Sequence, residues 1–239
     1  AGLRRHAVPR RAVDLVAALV VLAVLLLPNR FYAMTPGAFV RVPVEALAGV
    51  AAVLLLPRRA ARIAVGVAGA LAGLLAVGRI ADAGFAVVLA RRFDPVFDAA
   101  FLGDAVEFLR TQVGAAGADA AVVVAVVALA AVVVLPGLAA VRLASVVDRH
   151  RRIALRSLAV LAPVWLAGQL LGWPVSASTA LGDAEGRASQ VDAGLRDRSV
   201  FAAEVRADPF ANVPGDRLLA GLRGKDVVIA FVESYGRSA

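Results

Sequence analysis

The sequence predicts a mainly α-helical, polytopic membrane protein with about five transmembrane helices, followed by the start of a truncated extracellular α/β domain. Three observations carry that expectation. Hydrophobic residues fill 61% of the 239 positions and the mean hydropathy is +0.81, above the range of soluble chains. The apolar residues fall into separate blocks, most of them near the roughly 17–25 residues that cross a bilayer core. Arginines cluster between the blocks in a pattern that repeats on one side. A soluble fold would have to bury every block, and a chain of this length cannot build so large a core.

The formal charge is +8, carried by 26 basic residues of which Lys225 alone is a lysine. Such a balance can signal nucleic acid, but here the arginines punctuate apolar blocks, which excludes that partner in favour of membrane lipids. There is no cysteine, so disulfides, thiol chemistry and Cys-based metal sites are excluded.

The first block, Ala12–Leu27, follows "RRHAVPRR" and is closed by Pro28; with further spans behind it, it reads as an uncleaved signal-anchor. The second, Val42–Leu56, is closed by Pro57 and is short for a span. The third starts near Ile63 and ends either at Val77 or at Ala90. It contains Gly66–Ala70 and Gly69–Gly73, small residues at the four-residue spacing that lets helices approach closely. Its far end also carries Arg79 and Asp82, a polar i,i+3 pair. If the helix runs on to Ala90 the pair lies within the membrane, where ionisable groups are rare and often functional. The fourth block is Ala120–Val141 and the fifth Ile153–Trp173.

Between the third and fourth blocks, residues 91–118 mix Phe97, Phe101, Val106, Phe108 and Leu109 with Asp98, Asp104 and Glu107. That mixture suits an amphipathic segment on the outer membrane surface. Three arginine clusters fall on one side: Arg4, Arg5, Arg10 and Arg11; Arg58, Arg59 and Arg62; Arg142, Arg149, Arg151, Arg152 and Arg156. The positive-inside rule makes that side cytoplasmic. The organisation expected is therefore a five-span domain over 1–173 in the plasma membrane, with the N-terminus cytoplasmic and the C-terminus extracellular. A polar connector with short helices follows over 174–224. Asp14 faces the inner interface, and Arg41 and Glu45 stand at i,i+4 spacing at the outer surface.

The last stretch, "GKDVVIAFVESYGRSA" (224–239), differs in kind. An unbroken apolar run closed by a carboxylate and a glycine turn suits a strand buried on both faces. Ligands of parallel α/β sheets gather at the carboxyl ends of strands, where Glu233 stands. On spacing alone, a strand ending in a solvated Glu is the simpler reading.

The run into "ES" resembles the first catalytic strand of the membrane-anchored sulfatase and lipoteichoic-acid-synthase-like group of the alkaline phosphatase superfamily, which includes phosphoglycerol and phosphoethanolamine transferases. "LARRFDPVFD" (89–98) is similar to bacterial members of that group. The resemblance implies that residues 225–239 are the first strand of a truncated sulfatase-like domain and that Glu233 is a metal ligand. It implies a divalent ion (Mn, Mg, Zn or Ca) in the full-length parent, with tight binding to this chain alone not expected. It implies a substrate that is a lipid headgroup or an envelope polymer. The group's nucleophile, a Thr or a modified Cys or Ser, lies tens of residues beyond that strand, and an Asp–His pair further still. No catalytic residue is therefore expected within this chain; Ser234 and Ser238 stand in the wrong place. The alternative is a non-enzymatic polytopic protein, a transporter subunit or envelope assembly factor. An intramembrane CDP-alcohol phosphotransferase fits poorly, because "GDAEGRASQVDAGLRD" (182–197) orders that family's letters wrongly and lies outside any span.

Overall fold

In the computed structural model, residues 10–27, 43–171, 180–207 and 209–230 are described. Six helices dominate: α1 (Arg10–Leu26), α2 (Val44–Leu55), α3 (Arg58–Val88), α4 (Phe101–Arg149), α5 (Arg151–Leu170) and α6 (Ala180–Arg206). The chain divides into one unit over 1–194 and a second over 195–239.

Three helical stretches are long and apolar enough to cross a membrane: Arg58–Val88, Asp98–Arg149 and Arg151–Leu170. The block expected as a second span is the 12-residue α2, which extends only about 18 Å. α1 has 17 residues and reaches about 25 Å. The ambiguous third block resolves in favour of the longer helix: α3 continues without a proline to Val88 and carries Arg79 and Asp82 inside it. Ala90 then turns left-handed (φ 53°) and stops it.

α4 covers 49 residues as two helices that meet at Gly114, whose non-helical φ of 78° and ψ of 166° are open only to glycine. Gly114 separates the Phe101–Val113 part, taken from sequence as an amphipathic surface segment, from the valine-rich remainder.

The core of unit 1 is the α3–α4 pair. Small residues line it: Ala61, Gly73, Ala76 and Ala83 of α3 are buried, as are Pro136, Gly137, Ala139 and Ala144 of α4. A Cβ at Gly69 would lie 2.7 Å from the Pro136 carbonyl oxygen, and one at Gly137 would lie 2.8 Å from that of Gly66. Pro136 has no N–H, so the Val132 carbonyl one turn earlier loses its helical donor. A Cβ at Gly73 would run into that same oxygen, so only glycine lets α3 approach α4 here. Val65 is also buried there, but Ile63, Val67, Leu71 and Leu74 point the other way and form an exposed stripe on α3. Small residues inward and large apolar ones outward invert the soluble pattern.

Arginines also close helix ends. Arg151 donates to the Leu54 carbonyl at 2.6 Å, satisfying an orphan acceptor at the end of α2. Asp14 of α1 holds Arg142 at 2.7 Å and Arg149 at 3.6 Å, both on α4. Arg10, Arg62, Arg142 and Arg149, drawn from all three sequence clusters, line a single cleft.

In unit 2, residues 209–225 form turns and a short 3₁₀ segment at Ala220–Leu222, with Leu219 left-handed. No strand forms among the described residues. The expected strand is represented there only by Asp226–Ala230, which is exposed and unpaired with any neighbour strand. A strand needs ladder partners, and the described residues supply none. The rest of that run, with Glu233, Ser234 and Ser238, lies outside the described residues, as does Arg41.

Candidate functional site

The expected Arg79 and Asp82 are both buried, at 4% and 6% exposure, on one face of α3. Each takes its opposite charge from α6 rather than from the other. The Arg79 Nε donates to Asp183 Oδ2 at 2.9 Å, and its Nη2 donates to the same oxygen. Its Nη1 donates to the Val24 and Leu27 carbonyls at 3.2 and 3.0 Å. One guanidinium thus neutralises a carboxylate and also caps the C-terminal carbonyls of α1, where the helix dipole favours a cation. Asp183 lies in the first turn of α6, where the dipole favours an anion.

Asp82 completes the reciprocal bridge, accepting from Arg187 Nη2 at 2.8 Å. Its other oxygen accepts the Phe93 amide at 3.2 Å. The Phe93 carbonyl accepts from Gln190 Nε2 at 3.0 Å. Glu45, at the start of α2, accepts the Ala180 amide at the start of α6. Gly78 leaves the space that the Arg187 guanidinium occupies, since a Cβ there would lie 2.5 Å from the guanidinium carbon. The first half of α6 is therefore fixed to the ends of α1, α2 and α3 by charge and hydrogen bonds.

Beside this latch the "LARRFDPVFD" segment folds into a closed loop. The Asp98 side chain is fully buried. It accepts from Arg91 Nη1 at 2.8 Å and from the Asp94 amide at 2.6 Å. Asp94 in turn accepts the Val96 and Phe97 amides at 2.8 and 3.2 Å. The hydrogen bond from Arg91 holds the Asp98 carboxyl below its ordinary range despite burial, and Asp98 raises the Arg91 guanidinium. Phe93 packs edge-on to Phe85 at 5.1 Å, and Arg91 lies over the Phe85 ring at 5.3 Å.

Sequence reasoning singled out Arg79 and Asp82 but missed Asp183, Arg187 and Gln190, reading 174–224 as a connector with short helices. α6 instead runs for 27 residues. The signal was there: Asp183, Arg187, Gln190 and Gly194 recur at four, three and four residues, one face of a helix. A search for apolar periodicity passes over a polar stripe. Among the described residues no cluster of three or more His, Cys, Asp or Glu could hold a metal ion. No known protein family, curated protein or solved structure matches the chain.

Proposed function

We propose that this chain is the membrane-anchor portion of a sulfatase-like or phosphoglycerol/phosphoethanolamine-transferase-like enzyme that acts outside the membrane on lipid headgroups or envelope polymers. In this reading α1 to α5 cross the bilayer of the plasma membrane, the arginine end is cytoplasmic, and the latch lies at the outer surface. The observation that carries the anchoring role is the latch. Two reciprocal ion pairs, Arg79–Asp183 and Asp82–Arg187, fix a polar helix to the end of an apolar bundle. A catalytic domain following α6 would be held close to the bilayer plane, which raises its effective concentration toward lipid-borne substrate.

The enzymatic half rests on the resemblance of "DVVIAFVES". There, Glu233 supplies one oxygen ligand to a divalent ion, which activates a hydroxyl nucleophile encoded downstream of that strand. Glu233→Gln, made in the protein that includes the downstream sequence, tests this. Bound metal and metal-dependent turnover are expected to fall to background with membrane insertion unchanged. Normal metal content and normal turnover in that variant would remove the assignment.

A further inference from the structure

At the arginine end of unit 1, α1, α3 and α4 leave a cleft of about 430 Å³. Its volume lies in the range of sites that take a small ligand or a headgroup. Four arginines line it: Arg10, Arg62, Arg142 and Arg149. Among the described residues Asp14 is the one carboxylate bonded to any of them, holding Arg142 and Arg149. The nearby Asp148 is turned to Arg58, at 3.7 Å. Arg10 and Arg62 have no ion-pair partner among the described residues. Four positive charges against one negative leave the cleft at +3.

The cleft also has a direction. Leu138 and Val141 line one end and Arg142, Ser145 and Arg149 the other, all along one face of α4. Leu138 is 61% exposed, so the apolar end is continuous with the outward apolar surface of the helix. Ser145 Oγ makes only a long contact, 3.4 Å, to the Val141 carbonyl, so its hydroxyl can turn toward a ligand. An apolar wall leading into a cationic cup has the polarity of a phospholipid, acyl chain first and phosphate last.

The geometry points to a binding site for the phosphodiester of an anionic phospholipid in the cytoplasmic leaflet; this rests on the membrane reading above. Arg10 and Arg62 supply the uncompensated charge, Arg142 and Arg149 complete the cup, and Ser145 donates to a phosphate oxygen. Basic pockets between membrane helices on the cytoplasmic side are suited to such headgroups. A zwitterionic lipid would bring its own cation into a site that is already +3. Free inorganic phosphate shares the charge but gains nothing from Leu138 and Val141.

The test uses the whole chain in nanodiscs of zwitterionic lipid doped with an anionic phospholipid, with annular lipid retention read by native mass spectrometry. Arg10→Gln with Arg62→Gln is compared with Arg59→Gln and Arg152→Gln, two exposed arginines at the same end but outside the cleft. Removing the cleft pair is expected to lower anionic-lipid retention roughly 10- to 30-fold, while the outer pair changes it less than about threefold. Equal losses for both pairs would reduce the effect to general surface charge and overturn the site. Competition by millimolar inorganic phosphate that displaces the lipid fully would also overturn it, making the cup a site for free anions. If the chain does not enter nanodiscs or membranes at all, the membrane reading fails first; if it enters and the cleft pair has no effect, only this inference fails.

Discussion

Arg79 is the residue on which most of the α6 latch depends. Its guanidinium faces Asp183 and the last carbonyls of α1 at once, with its side chain 5% exposed. Removing one partner of a buried pair costs about 3–5 kcal/mol, and less here because the Asp183 side chain left behind is 26% exposed. Arg79→Gln is therefore expected to lower thermal stability in detergent far more than Arg58→Gln, whose side chain is 82% exposed beside Asp148. A double-mutant cycle with Asp183→Asn should return strong non-additivity; additive losses would mean the pair is not coupled. Asp98 allows a test by pH. Its carboxyl is held below the ordinary range, chiefly by Arg91, so its contribution is fully present above the unfolded value of about 3.9 and is lost as pH falls through the depressed folded value. The protection factor of the Asp94 amide, which donates to Asp98, should hold through the ordinary carboxylate range and fall only below it. An Asp98→Asn variant with the same protection would contradict the mechanism. At this scale the sequence was half legible. Arg79 and Asp82 stand out because charge is rare in an apolar block, whereas Asp183 and Arg187 sit among many charges and become visible only by their spacing.

Helices α3 and α4 show why element pairing was easier to read than element ends. The glycines at 66, 69 and 73 announce a close helix contact, and the structure places the α4 backbone against them. The ends depended on features without a strong local signature. α3 could extend past Val77 because α6 satisfies its two charges, a tertiary fact. Within the 91–118 segment the helix from Phe101 stops at Gly114, whose non-helical backbone sets it apart from the valine-rich helix that follows. α6 came out as one long helix because its stabilising face is polar. The run at 226–230 formed no strand, since β propensity without a ladder partner does not make a sheet. Gly73→Val tests the packing account. Its Cβ would meet the Val133 Cα at 2.9 Å as well as the Val132 carbonyl, and a backbone cannot step aside as a side chain can. The expected loss is roughly 1–3 kcal/mol or more, read as a fall in detergent melting temperature. Gly84→Ala, with nothing within 4 Å of the new Cβ, should be neutral or slightly stabilising. Equal destabilisation by both would remove the α3–α4 contact as the cause.

The whole molecule was legible as a class and not as a count. Composition pointed to apolar helices, and among the described residues three are long and apolar enough to cross a bilayer. α1 and α2 fall short of that length, so five crossings remain part of the proposal. Its central claim is an orientation: the end where Arg10, Arg62, Arg142 and Arg149 line a cleft faces the cytoplasm, and α6 is latched at the opposite, outer end. The absence of native cysteine makes the direct measurement simple. Single cysteines at Ser189 on α6, at Arg59 and at Arg152 are all exposed positions. In intact cells an impermeant thiol reagent should label the Ser189→Cys chain and leave Arg59→Cys and Arg152→Cys unlabelled until the membrane is permeabilised. Labelling of the 59 or 152 position in intact cells, or protection of position 189 until permeabilisation, would contradict the account.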